Sequence, residues 1–315
     1  MITPPKVSQP KRIKRNISGV LLLDKPSGIS SNQALQIAKR IFTAAKAGHT
    51  GTLDPMATGL LPICFGEATK FSLALLGADK TYEATLKLGF VSSTGDAEGE
   101  ISAAGDGASF TLQQVETALK DFIGSITQIP PMYSALKHQG KPLYAYAREG
   151  VEIERKPRAV SIYELRLQAL AGNEMHFTVK CSTGTYVRTL AEDIGKALGC
   201  GGAYLTALRR SSIHDFDLSQ AVTLDALETM SLPQRDACLR PADSLLRDYP
   251  AIMLEAVATS LLLQGQVVVD LSQEIAKLGE IDGKVRLYRT DGQFLGLGEV
   301  TAGGGIAPKR LLVLS

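Results

Sequence analysis

Two segments of strict alternation constrain this chain most. Between Lys80 and Gly89, Tyr82, Ala84, Leu86 and Leu88 point one way, and Thr81, Glu83, Thr85 and Lys87 the other. Between Glu174 and Cys181, Met175, Phe177, Val179 and Cys181 share a face. A period of two marks a strand with one buried and one solvated side. The chain must therefore build a sheet with one polar face. Other segments follow a helical period. Leu35, Ala38, Ile41 and Phe42 recur behind Ser31, which reads as an N-cap. Thr111 precedes Leu112, Val115, Leu119 and Phe122, with Gly124 as the stop. Val187, Leu190, Ala191, Ile194 and Leu198 form a third stripe, closed by Gly199. Ser18–Leu23 reads as a short strand before an Asp24–Gly28 turn, and Gly95–Gly107 as a Gly/Asp-rich loop. Strands interrupted by helices, without regular βαβ repeats, predict an α+β fold on a mixed, mainly antiparallel sheet flanked by helices.

At 315 residues the chain is long for a single core, and its texture changes near Tyr249. A helix-like run at Leu254–Leu263 precedes strand-like segments at Val285–Tyr288, Phe294–Val300 and Leu311–Leu314, with Asp291-Gly292 as a hairpin turn. The expected division is a main domain over residues 17–245 and a small β-rich domain over 250–315. Residues 1–16 carry Lys6, Lys11, Arg12, Lys14 and Arg15, three prolines and no acid, which predicts a disordered basic tail able to add phosphate contacts. No apolar stretch reaches the roughly 18–20 residues needed to span a bilayer, and Gly19–Leu23 is too short for a signal-peptide core. Cys64, Cys181, Cys200 and Cys238 lack close-pair spacing, so neither a zinc knuckle nor a disulfide framework is indicated. A cytoplasmic location fits. A formal net charge of +2 does not by itself announce a nucleic-acid partner.

The chemistry concentrates at Gly48-His49-Thr50-Gly51-Thr52-Leu53-Asp54-Pro55. Gly48 and Gly51 permit backbone angles closed to other residues, and Pro55 biases Asp54 away from helical geometry. Such a loop can hold one carboxylate at a defined angle, as covalent or acid–base chemistry requires. His49 and Asp54 alone are too few ligands for a metal site. A lone His without a Ser or Cys partner makes no hydrolase triad.

Ala47–Phe71, with Leu21–Ser31 (LLLDKPSGISS), Gln128–Lys137 (QIPPMYSALK), Gly184–Thr189 (GTYVRT) and Ala207–Arg210 (ALRR), resembles the signature of the TruB family of tRNA pseudouridine-55 synthases. The matches cover most of Gly19–Ser212; the final part is similar only loosely. The resemblance implies isomerisation of uridine at position 55 in the tRNA T-loop, with Asp54 as nucleophile on a flipped-out nucleotide. The reaction breaks the N1–C1′ bond, turns the base and rejoins it through C5, which requires no metal, nucleotide or redox cofactor. Attack on C1′, attack on C6 and a glycal route all remain open. The same resemblance makes Arg188 the ion-pair partner of Asp54, stacks Tyr82 on the target and lines the base pocket with Tyr186 and Leu208. It gives His49 a contact with substrate RNA and places Lys25 and Lys70 near the RNA or pocket. A carboxylate flanked by loop N–H groups and a cation is expected to keep its pKa low. Residues 129–158, with four prolines over Pro130–Pro157 and Lys137, Lys141, Arg148, Arg155, Tyr133, Tyr144 and Tyr146, become a thumb-like insertion that grips the T-arm. The C-terminal part becomes a PUA-like RNA-binding domain. The expected partner is tRNA, engaged by a monomer with no membrane and no obligatory protein partner. Two alternatives stand beside this: the catalytic subunit of a guide-RNA-directed complex, and a non-catalytic tRNA chaperone.

Overall fold

A computed structural model of the chain describes residues 13–105, 109–269, 271, 275–276 and 283–313. The first strands are β1 (Gly19–Lys25), β2 (Ala47–His49), β3 (Thr58–Phe65) and β4 (Lys80–Leu88). A short hairpin, β5 (Phe90–Ser92) with β6 (Ile101–Ala103), precedes β7 (Gly124–Gln128). A second small hairpin, β8 (Lys137–His138) with β9 (Lys141–Pro142), leads to the long pair β10 (Arg158–Ala171) and β11 (Glu174–Cys181). Then come β12 (Ala203–Ile213), β13 (Phe216–Asp217) and β14 (Val222–Thr223). The main sheet runs β14-β1-β3-β12-β4-β11-β10-β7, with β2 on β3 and β13 on β12. β1–β14 and β3–β12 are parallel; the other pairs are antiparallel. This is the mixed α+β sheet that the alternation predicts.

The sheet has two kinds of strand. In β1, Leu21 and Leu23 pack into one hydrophobic cluster while Val20 and Leu22 pack into another on the opposite side. β3 divides the same way, with Leu61, Ile63 and Phe65 against Leu60 and Cys64. Burial on both faces explains why these two strands read as near-continuous apolar runs. β4 and β11 are buried on one face only, hence their alternation. The helices α1 (Ser31–Ile41), α2 (Leu112–Lys120), α3 (Leu143–Arg148) and α4 (Val187–Ala197) alternate with the strands, followed by the short α5 (Leu224–Thr229) and α6 (Leu232–Ala237). Ala34 and Leu35 of α1, Val115 and Leu119 of α2, Leu190 and Ile194 of α4 and Leu227 of α5 share one cluster with Leu86, Phe177 and Leu205. α4 lies so close to the start of β12 that a Cβ on Gly195 would come within 2.2 Å of the Gly202 carbonyl carbon.

Several boundaries depart from the sequence expectation. The cap of α1 is Ser30, which accepts from Gln33 N in a capping box. Ser31 is instead buried and engaged elsewhere. Leu112, expected on the apolar face of α2, is exposed, and the helix ends at Lys120, before Gly124. The loop over Gly95–Gly107 contains β6 and a buried Asp96; Asp106 and Gly107 fall outside the described residues. At the N-terminus, Arg15 bridges to Ala44 and pairs with Asp236, so the end of the basic segment is anchored; residues 1–12 lie outside the described residues.

The second sheet comprises β15 (Ala251–Leu254), β16 (Lys284–Arg289), β17 (Phe294–Val300) and β18 (Ile306–Leu311), in that order, with α7 (Ala256–Leu263) packed beside it. β16 and β17 form the expected hairpin. The last strand is Ile306–Leu311, five residues earlier than the apolar run Leu311–Leu314 suggests; Leu314 is outside the described residues. Pro308 hides this strand in the sequence, and it is tolerated beside a register shift opposite Gly298. The two sheets meet along a 3-10 segment after β3: Phe71 packs on Phe294 (5.6 Å between ring centroids), and Lys70 Nζ donates to Leu311 O at 2.8 Å.

Candidate active site

The loop between β2 and β3 is fastened on both sides of Asp54. Ser31 Oγ accepts from Leu53 N (2.8 Å) and donates to Leu53 O (3.0 Å), which ties α1 to the residue before Asp54. Lys25 Nζ donates to Pro26 O (2.8 Å), Ile29 O (2.6 Å) and Pro55 O (3.2 Å), joining the end of β1 to the residue after it. Gly28 N also donates to Pro55 O, and Ala57 N closes a turn on Asp54 O. A carboxylate on a loop so fastened loses little further entropy when a ligand arrives.

Arg188 arrives from the first turn of α4 and is almost fully buried. Its Nε lies 3.1 Å from Asp54 Oδ2, and its Nη2 donates to Asp54 Oδ1 at 3.3 Å, a two-point grip on the carboxylate. The same guanidinium donates to Thr94 O (2.8 Å) and Tyr133 O (2.7 Å) and stands 3.7 Å from Asp96 Oδ2. Asp96 is itself held by Thr94 Oγ1 (2.5 Å) and Glu98 N (3.1 Å). The exposed pairing of Arg188 with Glu192 is absent: Glu192 pairs with Lys196 at 2.6 Å.

Asp54, Tyr82, Ser134, Tyr186, Arg188 and Leu208 line a cavity of about 180 Å³. That is well below the roughly 300–1,000 Å³ of a drug-sized ligand site and on the scale of one ring. Asp54, Ser134 and Arg188 also border a larger cavity of about 970 Å³, walled by Tyr133, Tyr144, Arg148 and Glu98. Tyr82 and Leu208 reach the small cavity from the helix-covered face of β4 and β12. Tyr186 caps α4, with its backbone N–H and C=O both engaged by the buried Gln128 side chain (3.0 and 3.3 Å).

The electrostatics correct one expectation. Burial pushes the Asp54 carboxyl above its ordinary value; the Arg188 charge opposes this, and nearby Asp96 adds to it. The loop N–H groups do not turn onto the carboxylate: the described hydrogen bonds to its oxygens come from Arg188. Burial therefore outweighs the cation. Burial likewise raises the Tyr82 and Tyr186 phenols, with Arg210 opposing it at Tyr82.

Of the residues singled out in the sequence, Asp54, Tyr82, Tyr186, Arg188 and Leu208 come together. Three do not join them. Lys25 faces backbone carbonyls, and burial lowers its pKa to about 8. Lys70 pairs with Glu67 (2.6 Å) at the junction of the two sheets. His49 is half-buried on β2 and does not line the small cavity; its Nδ1 has no partner among the described residues, and burial lowers its pKa. The sequence reading missed Asp96 and Ser134. Asp96 gives no local signal beyond a turn: Thr94 and Glu98 hold it as turn neighbours, and the partner that gives it a place in the site, Arg188, lies far along the chain on α4.

Residues 39–187 match the TruB family pseudouridylate synthase (N terminal domain). Residues 188–247 match the tRNA pseudouridylate synthase B C-terminal domain, and 250–312 the C-terminal domain of pseudouridine synthase II TruB. The chain is 63% identical over 304 residues to tRNA pseudouridine synthase B of Nitrosospira multiformis, covering 95% of this chain and 96% of that protein. It is 56% identical over 303 residues to the protein of the same name from Methylobacillus flagellatus, covering 96% and 97%. Among solved structures it is similar to a chain of an H/ACA RNP bound to a substrate RNA containing 2'-deoxyuridine (TM-score 0.68, 21% identity, 94% of this chain and 85% of that one). That last likeness is one of fold.

Proposed function

The chain belongs to the TruB family of pseudouridylate synthases and acts as a tRNA pseudouridine synthase, and from that premise we propose how its residues share the work. The target is uridine 55 of the T-loop, extruded from the stack at a cost of a few kcal/mol. The observation that carries this reading is a carboxylate gripped at two points by a buried guanidinium and facing a ring-sized cavity walled by Tyr82, Tyr186 and Leu208. Asp54 acts on the nucleoside as the group that makes and breaks the bond at the sugar or base. Arg188 fixes the orientation of both carboxylate oxygens. The Tyr82 ring meets the base, a contact worth about 1–3 kcal/mol in comparable stacks. Lys25 serves as a positioning residue for the loop rather than as a ligand of RNA.

Residues 129–158 grip the T-arm: Arg148 and Tyr144 border the large cavity in front of Asp54. Residues 250–315, which carry the second sheet, work as a PUA-like RNA-binding domain. The protein acts in the cytoplasm as a monomer on naked tRNA. Among the described residues no helix is long and apolar enough to cross a membrane.

The test is incubation of the purified chain with a T-arm stem-loop, without guide RNA or accessory protein, and chromatography of the digested RNA. Pseudouridine at the target position is the expected product. Unchanged uridine here, with conversion once a guide RNA is added, would favour the guide-directed alternative; tight binding without conversion would favour a chaperone.

A further inference from the structure

Arg210 is a charged side chain that the reaction scheme above leaves unused. It is 1% exposed, and among the described residues it forms no ion pair. Its neighbour Arg209 takes Asp24 at 2.7 Å. Arg210 Nε donates to Leu60 O (2.8 Å), while Nη2 is buried without a hydrogen-bond partner among the described residues. A guanidinium in that state is unfavourable relative to an apolar side chain of similar volume. Packing alone gives no reason for a cation here.

Its surroundings do. In the β12–β4 pairing Arg210 stands opposite Tyr82, so their side chains leave the same face as direct cross-strand neighbours. On the other side, a Cβ on Gly51 would come within 3.8 Å of Arg210 Nη1, which places the guanidinium beneath the loop that carries Asp54. The backbone of Arg210 is equally fixed. A Cβ on Gly59, which has φ +100°, would lie 2.3 Å from Arg210 O, so β3 and β12 press together only because that residue is glycine. The Arg210 charge also pulls the Tyr82 phenol down against the effect of burial, as expected of a cation close to the phenol oxygen.

Resting on the reading that Tyr82 meets the base, we propose that Arg210 is a positioning residue for this reaction: its guanidinium fixes the phenol end of Tyr82 and ties it to the underside of the Asp54 loop. Ring and carboxylate then keep one spacing while the nucleotide turns between them. Arg210 itself touches no substrate.

A double-mutant cycle under single-turnover conditions tests this. Arg210→Met should lose about 100-fold in rate with KM changed less than about threefold, and Arg210→Lys should recover at least about tenfold of that loss. On a Tyr82→Phe background, Arg210→Met should cost less than about threefold more, because the group it acts through is already gone. Full additivity would overturn the proposal, as would a Tyr82→Phe chain as fast as wild type or a loss confined to KM. If Arg210→Met does not fold, the same cycle is run with Arg210→Lys. A crystal structure of the Arg210 variant should show the Tyr82 ring displaced, and an unmoved ring contradicts the proposal. A wild-type chain that forms no pseudouridine strikes the functional reading instead, whereas additivity in an active chain strikes this inference alone.

Discussion

The pocket and the Pro130–Pro157 segment handle charge in opposite ways. Around the pocket, Lys25, Arg210, Asp96 and Arg188 are 0%, 1%, 3% and 5% exposed. Arg188 reaches Asp54 and Thr94 across 134 and 94 residues of chain. In the Pro130–Pro157 segment the pairs are local and open to solvent: Lys141 with Glu149, Arg155 with Glu152, Lys141 over the Tyr146 ring and Arg148 over that of Tyr144. Exposed pairs of this kind contribute about 0–1 kcal/mol each, whereas breaking a buried pair costs about 3–5 kcal/mol. One region is locked by buried, long-range charge contacts; in the other the charge contacts are weak and short-range. They meet at Tyr133-Ser134, where the Tyr133 carbonyl accepts from Arg188.

The largest test of this contrast is Arg188→Lys. A point charge cannot reproduce a fork that serves Asp54, Asp96, Thr94 and Tyr133 together. A rate loss on the order of 10³-fold is expected in single-turnover assays; a loss below tenfold would mean that any cation suffices. Next is Lys25→Met, which leaves the Pro26, Ile29 and Pro55 carbonyls without their shared donor. Denaturant melts should show about 1–3 kcal/mol of lost stability, because Gly28 N still serves Pro55 O and water can reach the half-open turn. A change under 1 kcal/mol would show the loop to be held by other contacts.

The third test is pH. In the proposed role Asp54 acts as a carboxylate, and burial raises its pKa. The acid limb of the rate should therefore fall about tenfold per pH unit from a midpoint above the ordinary aspartate value of about 3.9. A limb at or below that value would mean that the Arg188 charge outweighs burial after all. The smallest effect belongs to the exposed segment. Arg148→Ala should weaken T-arm binding only a few-fold and flatten its salt dependence by about 0.7–0.9 in log–log slope, with the bound rate unchanged. A large fall in the bound rate would place Arg148 with the locked charges.

The same contrast decides what the sequence disclosed. Periodicity is local, so β4, β11 and α4 could be read within a residue or so. Ser31 reads as the cap, yet the neighbouring serines divide two tasks: Ser30 caps the helix, and Ser31 grips Leu53 across 22 positions. Asp54, Tyr82, Tyr186, Arg188 and Leu208 were found through resemblance to a family, since spacing alone left Tyr82 and Leu208 as ordinary core. Asp96 and Arg210 were invisible as partners because the pairing of distant strands brings them to the site. The raised Asp54 pKa could not be foreseen either, because its cause is burial by the packing of Arg188 from α4 and of Ser134 from the Pro130–Pro157 segment around the same cavity.

In the proposed division of labour the Asp54 carboxylate, oriented by Arg188, performs the chemistry while other parts of the chain hold the RNA. The most direct measurement sets wild type and Asp54→Asn side by side on one T-arm stem-loop, recording binding and pseudouridine formation in the same samples. Binding within about threefold of wild type and no detectable pseudouridine are the expected outcome. Conversion by Asp54→Asn at the wild-type rate would contradict it.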